Sequence, residues 1–184
     1  LNLYWVICSL PIFTIGASTS ALLYASMKLH DKEGYVTSNF FSSFKENFKQ
    51  ATEIWLIYLV IGILLGFDFV MGNQAKDTLG VCMQGAAMIL AIPYFLSLLY
   101  VFGVQSRFVN PVKDTIRYSF FMALRNMKCT IQMAILMILL VWANTTVLLV
   151  NFLTLVYGFG LMGYFFAAYY KKAFGKYLNP EENS

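Results

Sequence analysis

The sequence predicts an all-α, polytopic membrane bundle. Three observations carry that prediction: long apolar stretches, scarce charge, and basic residues gathered between alternate stretches. Hydrophobic residues fill 59% of the 184 positions and charged residues only 12%, about half the share usual in soluble domains. Seventeen Phe, twelve Tyr and three Trp suit helix packing and anchoring at the headgroup level.

Five stretches are long enough, at about 20 residues each, to cross a hydrocarbon core roughly 30 Å thick. They run from Leu3 to Met27, Ile54 to Met71, Leu79 to Val104, Thr130 to Val147 and Leu148 to Tyr170. The boundary between the last two rests on Asn144, Thr145, Thr146 and Asn151 in "WANTTVLLVNF", which lacks Gly, Pro and charge. The alternative there is one long helix and four spans.

Charge sets the orientation. Lys28, Lys32, Lys45 and Lys49 follow the first stretch, Arg107, Lys113, Arg117, Arg125 and Lys128 the third, and Lys171, Lys172 and Lys176 the fifth. Only Lys76 falls elsewhere, so five spans place twelve of the thirteen basic residues on the cytoplasmic side, N-terminus outside and C-terminus inside. The net charge of +4 then reflects orientation and attraction to anionic lipid rather than nucleic acid. No basic segment precedes Leu1, so no cleaved signal peptide is expected.

Two amphipathic cytoplasmic helices are expected between the spans. "SNFFSSFKENFKQAT" presents Phe40, Phe41, Phe44 and Phe48 opposite Lys45, Glu46 and Lys49, as a contact for lipid or a partner. "NPVKDTIRYSFFMALRNMKCT" places Val112, Ile116, Phe120, Ala123 and Met127 on one stripe, with Phe121 beside it. Pro111 suits the first turn and Asn110 the cap.

The two regions resemble each other. "FFSSFKENFK" aligns with "FFMALRNMK", and "LPIF" at Leu10 with "IPYF" at Ile92. A single membrane domain built from parallel repeats, residues 3–72 and 79–148, follows, with an added span at 148–170 and a tail at 171–184. Pro11 and Pro93 should bend their spans, since each lacks an N–H and crowds the carbonyl four residues earlier. Around Pro11, Thr14, Gly16, Ala17, Ser18, Ser20, Ala21 and Ala25 recur at spacings of four. They read either as a tightly packed joint or as a polar lining for a small solute.

Candidate chemistry is sparse. Asp68 in "GFDFVMG" is an acid inside an apolar run, a proton or cation site or an interface anchor. Gln84, Gln132, Asn144 and Asn151 suit either a sugar hydroxyl or helix joining. "GFGLMG" fits a dinucleotide pattern by letter, with Glu181 following, but no strand is expected before it and helix packing explains its glycines. The "NTT" glycosylation match sits in too short an apolar turn. His30 is a lone loop histidine, expected to be solvated. Cys8, Cys82 and Cys129 are too scattered for a disulfide framework or a metal knuckle. Without Walker, zincin or serine-elbow motifs, no enzyme activity, catalytic residue, metal or cofactor is expected.

"LNLYWVICSLPIFTIGASTSAL", "FFSSFKENFKQATEIW" and "YYKKAFGKYL" resemble the YesL family of uncharacterised bacterial multi-pass membrane proteins. The resemblance implies a polytopic protein often encoded among genes for glycan uptake and breakdown, and carries no catalytic or ligand residues. The expectation is an accessory or regulatory subunit docking onto the permease of a sugar ABC importer. The alternative is a small solute transporter or channel, with a homo-oligomer possible.

Overall fold

The computed structural model describes residues 1–75, 78–146 and 148–178, and among these every regular element is helical. Lys76, Val147, Glu181 and the tail beyond Leu178 lie outside the described residues, as does the side chain of Lys176. The helices are α1 (Asn2–Cys8), α2 (Ile15–His30), α3 (Val36–Gln74), α4 (Thr78–Arg107), α5 (Val112–Arg125), α6 (Met127–Thr146), α7 (Leu148–Leu153) and α8 (Phe159–Leu178). A 3₁₀ turn at Ile12–Thr14 precedes α2, and a π-helical turn at Thr154–Gly158 joins α7 to α8. Among the described residues, three helices are long and apolar enough to cross a membrane: α3, α4 and α6.

The expected first span from Leu3 to Met27 is not one bent helix. Proline disfavours a helical residue before it and cannot donate its own N–H, so α1 stops at Cys8 and Pro11 is extended, at φ −75° and ψ 122°. Thr14 seals the turn: its hydroxyl lies 2.6 Å from both the Cys8 and the Pro11 carbonyl oxygens. The arms then lie antiparallel, with Trp5 Nε1 donating to Thr19 Oγ1 at 3.1 Å and Tyr4 reaching Phe40, which packs against Ala21 and Ala25. Leu1 therefore starts beside the second half of α2 and not at its far end.

The first of the two expected amphipathic helices is not separate either. No glycine or proline occurs between Tyr35 and Ile61, so the amphipathic segment runs straight into the second span as one 39-residue helix, about 58 Å long at 1.5 Å per residue. The corresponding join after α5 does break, at Asn126 with φ −113° and ψ 46°. There the Asn126 amide donates to Met122 O at 3.1 Å, and the Thr130 hydroxyl to Ala123 O at 2.7 Å. Pro93, unlike Pro11, stays inside a helix. The paired sequence features thus do not share one local conformation.

On α5 the buried residues are Thr115, Ser119 and Ala123; of the expected stripe Ala123 is buried, Val112, Ile116 and Phe120 are half-buried beside that face, and Met127, which begins α6, is exposed. Small residues there let α5 lie close against α4. Its first turn opens at Pro111 without a side-chain cap, and the Asn110 carbonyl instead accepts from Gln50 Nε2 at 2.5 Å.

Residues 144 and 154 are brought together by side-chain contacts. Asn144 Nδ2 donates to Thr154 Oγ1 at 3.1 Å, and Asn151 Nδ2 to Asn144 O at 2.8 Å. A straight helix would separate residues 144 and 154 by about 15 Å, too far for those side chains to meet. One straight helix therefore does not run through residues 144–154. The core gathers under this frame, with Tyr100, Tyr170, Phe174, Met27, Ile54 and Met133 fully buried.

Candidate functional site

Three polar clusters lie where helices meet, and each is built from residues distant in sequence. The first surrounds the α1–α2 turn. Trp55 Nε1 donates to Ile12 O at 2.8 Å, closing α3 over the turn. Behind it, Gly16, Ala17, Ser18, Ala21 and Ala25 of α2 are buried. A Cβ on Gly16 would stand 2.4 Å from Ala51 O and 2.6 Å from Trp55 Cβ, and one on Gly163 2.9 Å from Leu22. The small-residue stripe is therefore filled by α3 and α8, leaving no room for a solute along those contacts. The hydroxyls of Ser18, Ser20 and Ser26 meet no hydrogen-bond partner, so at these positions size is what the packing uses.

The second cluster is a set of amides between α3, α4 and the loop after α4. Gln105, buried at 3% exposure, donates through Nε2 to Asn47 Oδ1 at 3.3 Å and Gln50 Oε1 at 3.1 Å. Asn47 in turn donates to Ser43 O at 3.2 Å, and Gln50 to Asn110 O. Such interhelical amide bonds hold two apolar helices in register where apolar burial cannot, because lipid is as apolar as the helix faces.

The third cluster is the basic end. Lys28 pairs with Glu33 at 2.5 Å, and Lys171 of α8 pairs with Asp31 at the end of α2. Arg107, ending α4, adds its field to both Lys28 and Asp31. Three basic groups separated in sequence thus meet at one end. His30 is docked rather than solvated: its ring stacks on Tyr164 with centroids 4.1 Å apart, and its Nε2–H donates to Tyr164 O at 3.0 Å. The loop that carries these groups turns through Lys32 and Gly34, at φ 57° and 67°. Glycine adopts that left-handed conformation without strain, whereas lysine does so at a cost.

The Lys171 ammonium holds the Asp31 carboxyl below the usual carboxylate range. A carboxylate lowered on folding stabilises the folded state above its unfolded pKa and loses that effect as pH falls through its folded value. Folded-state stability should accordingly drop as pH falls below about 4, and Asp31→Asn should flatten that part of the profile. Detergent-unfolding midpoints from pH 6 to pH 3 check this; identical slopes in both proteins would refute it. The effect is small, because both side chains are partly exposed.

The other sequence-predicted residues are not gathered with these. Asp68 is exposed on the C-terminal half of α3, about 20 Å along the helix from Trp55 and so away from Thr14 and Ser18. Gln84 packs against Gly72, its Cβ 3.2 Å from where a Gly72 Cβ would stand. Phe40 is fully buried, Phe44 and Phe48 half-buried, while Phe41 and Phe121 are exposed and Phe120 intermediate. Phe40 is therefore a packing residue and unavailable to a partner. "GFGLMG" uses its glycines for close approach, Gly160 to Asn2, whose Oδ1 accepts from Gly160 N at 2.9 Å, and Gly163 to α2. Among the described residues no three His, Cys, Asp or Glu side chains converge as a metal would require.

The amide cluster and the His30 dock were not legible in advance, since their partners lie 55 to 134 positions apart.

Apolar membrane-length helices joined by interhelical amides, with their basic ends together, define a polytopic helical membrane protein. Residues 1–69, covering the α1–α2 hairpin and α3 as far as Phe69, match the model of a family described as "Protein of unknown function, DUF624". That family of uncharacterised bacterial proteins includes YesL-like membrane proteins, so the resemblance read from the sequence is shown over that stretch. No curated protein and no solved structure matches the chain.

Proposed function

We propose that this is a multi-pass protein of the bacterial cell membrane that serves as an accessory subunit, docking its α3–α4 hairpin onto another membrane protein. One observation carries the reading. Beyond Tyr58 on α3 and before Ser97 on α4, the two helices pack mainly on each other, and Ile63, Leu64, Phe67, Leu79, Ile89 and Phe95 are all exposed. An apolar pair standing clear of its own bundle offers van der Waals contact to another protein's helices. A sugar importer's permease is the partner class that the family resemblance points to.

The orientation follows the basic end. Lys28, Arg107 and Lys171 face the cytoplasm, so α3, α4, α6 and the α7–α8 pair cross the bilayer while the α1–α2 hairpin re-enters from the cytoplasmic side. This moves the start of α1 from the expected outer side to the inner side, and leaves every other basic segment where charge placed it. The alternative of a transporter or channel built around Asp68 has less support, because Asp68 faces outward and lies far from Thr14 and Ser18.

Mild-detergent capture from cells grown on a glycan, read by mass spectrometry, tests the accessory role. Transporter subunits should be recovered, and Phe67→Ala with Ile63→Ala should reduce their recovery. Recovery of this protein alone, or of a homodimer joined through the hairpin, would count against the proposal.

A further inference from the structure

We propose that Asp68 meets a basic side chain, Lys or Arg, in a membrane helix of another protein, so that an ion pair inside the bilayer selects the partner and its register. This rests on the docking role of the α3–α4 hairpin proposed above. Ile57, Ile61, Leu64, Asp68 and Met71 recur along α3 at intervals of four, three, four and three residues. That spacing keeps one seam of a helix against a neighbour, and beyond Ile57 the seam is uncovered. Ile61, Leu64 and Met71 are 41%, 58% and 43% exposed, and Asp68 is exposed with them. In such a seam a lone polar group fixes register and choice of partner, at a cost in stability.

The depth of the carboxylate calls for a counter-charge. Phe69, Val70 and Met71 follow Asp68 and are exposed too, and α3 continues to Gln74, about 9 Å further at 1.5 Å per residue. A bilayer that covers those apolar residues covers Asp68 as well, and its short side chain lacks the stem by which lysine and arginine reach the surface. Ionisable side chains within a span are costly and pair with one another. Among the described residues none pairs with Asp68, and between Lys49 and Arg107 the sequence has one basic residue, Lys76, past the end of α3. A second copy of this chain fits no better. Two chains inserted alike and related by a two-fold axis along the membrane normal would join at the same seam, setting carboxylate against carboxylate at Asp68. A cation carried by a different protein is the complement.

Photo-crosslinking in whole cells tests this, with a photoreactive residue in place of Leu64 in the full chain and mass spectrometry of the linked peptide. The peptide should come from a membrane helix of another protein that carries Lys or Arg within one turn of the linked position. Asp68→Asn should lower the yield, read per chain present in the membrane, by about tenfold, the loss of one charge-assisted contact. Asp68→Glu should keep most of the yield, and Lys76→Gln all of it. Asp68 is exposed, so its variants leave the packed core intact. A linked helix without Lys or Arg, an undiminished yield in Asp68→Asn, or an equal loss in Lys76→Gln would overturn the ion pair. Where transporter subunits are still captured by the Asp68→Asn protein in full yield, the docking role stands and the pairing alone fails. Links to lipid or to a second copy of this chain alone would remove both.

Discussion

Gly16→Ala is expected to destabilise the protein by about 2 kcal/mol, because the added methyl overpacks a contact that cannot relax cheaply. The methyl would sit 2.4 Å from Ala51 O and 2.6 Å from Trp55 Cβ, and the first of these atoms is helix backbone. Alanine's better helix propensity offsets at most about 1 kcal/mol. Gly66 and Gly85 supply the contrast, since a Cβ at either meets nothing within 4 Å. Gly66→Ala and Gly85→Ala should therefore be neutral, or more stable by up to about 1 kcal/mol. Reversible unfolding in mixed micelles separates the cases; equal behaviour of all three variants would remove the close α2–α3 approach from the account.

Tyr170→Ala should cost more, about 3–5 kcal/mol. Its ring is 1% exposed, stacks on Phe174 at 5.4 Å and meets Tyr100 and Phe166 edge-on at 5.6 and 6.1 Å. Its hydroxyl donates to the Leu99 carbonyl. Tyr170→Phe keeps the ring and loses only that bond, so about 1 kcal/mol is expected. The two unfolding midpoints should lie well apart. Should Tyr170→Phe prove as damaging as Tyr170→Ala, the hydroxyl and not the ring would tie α8 to α4.

Helices were legible in the sequence because bilayer thickness sets their length and apolar content directly. Where they break was less legible, and the two prolines show why. Pro11 has Ser9 and Thr14 nearby, and the Thr14 hydroxyl lies within donating distance of two turn carbonyls, so the chain can leave the helix there. Pro93 stands among apolar residues with Tyr94 and Ser97 bonded to neighbouring helices, and a break would expose backbone to lipid. The same residue thus has opposite outcomes according to the local supply of polar partners. The join at residues 51–54 was misplaced for a related reason: change of polarity was read as an end, although nothing there interrupts the helix.

For the candidate site, the charge pattern announced a basic end, because basic residues tend to collect on one side of a membrane whatever their contacts. Its pairings were hidden. Lys171 and Asp31 lie 140 positions apart, and no periodicity links Gln105 to Asn47. Asp68 drew notice as an acid in an apolar run, a signal of cost that carries no information about direction, and the helix turns it outward.

The decisive measurement is cysteine accessibility in a cysteine-free background, with single labels at Glu33, Val109 and Ala75 and a reporter tag on the N-terminus. The account predicts that Glu33, Val109 and the tag react only when the cytoplasmic face is opened, while Ala75 reacts from outside. An N-terminal tag reached from the outside, or Glu33 and Val109 found on opposite faces, would contradict it.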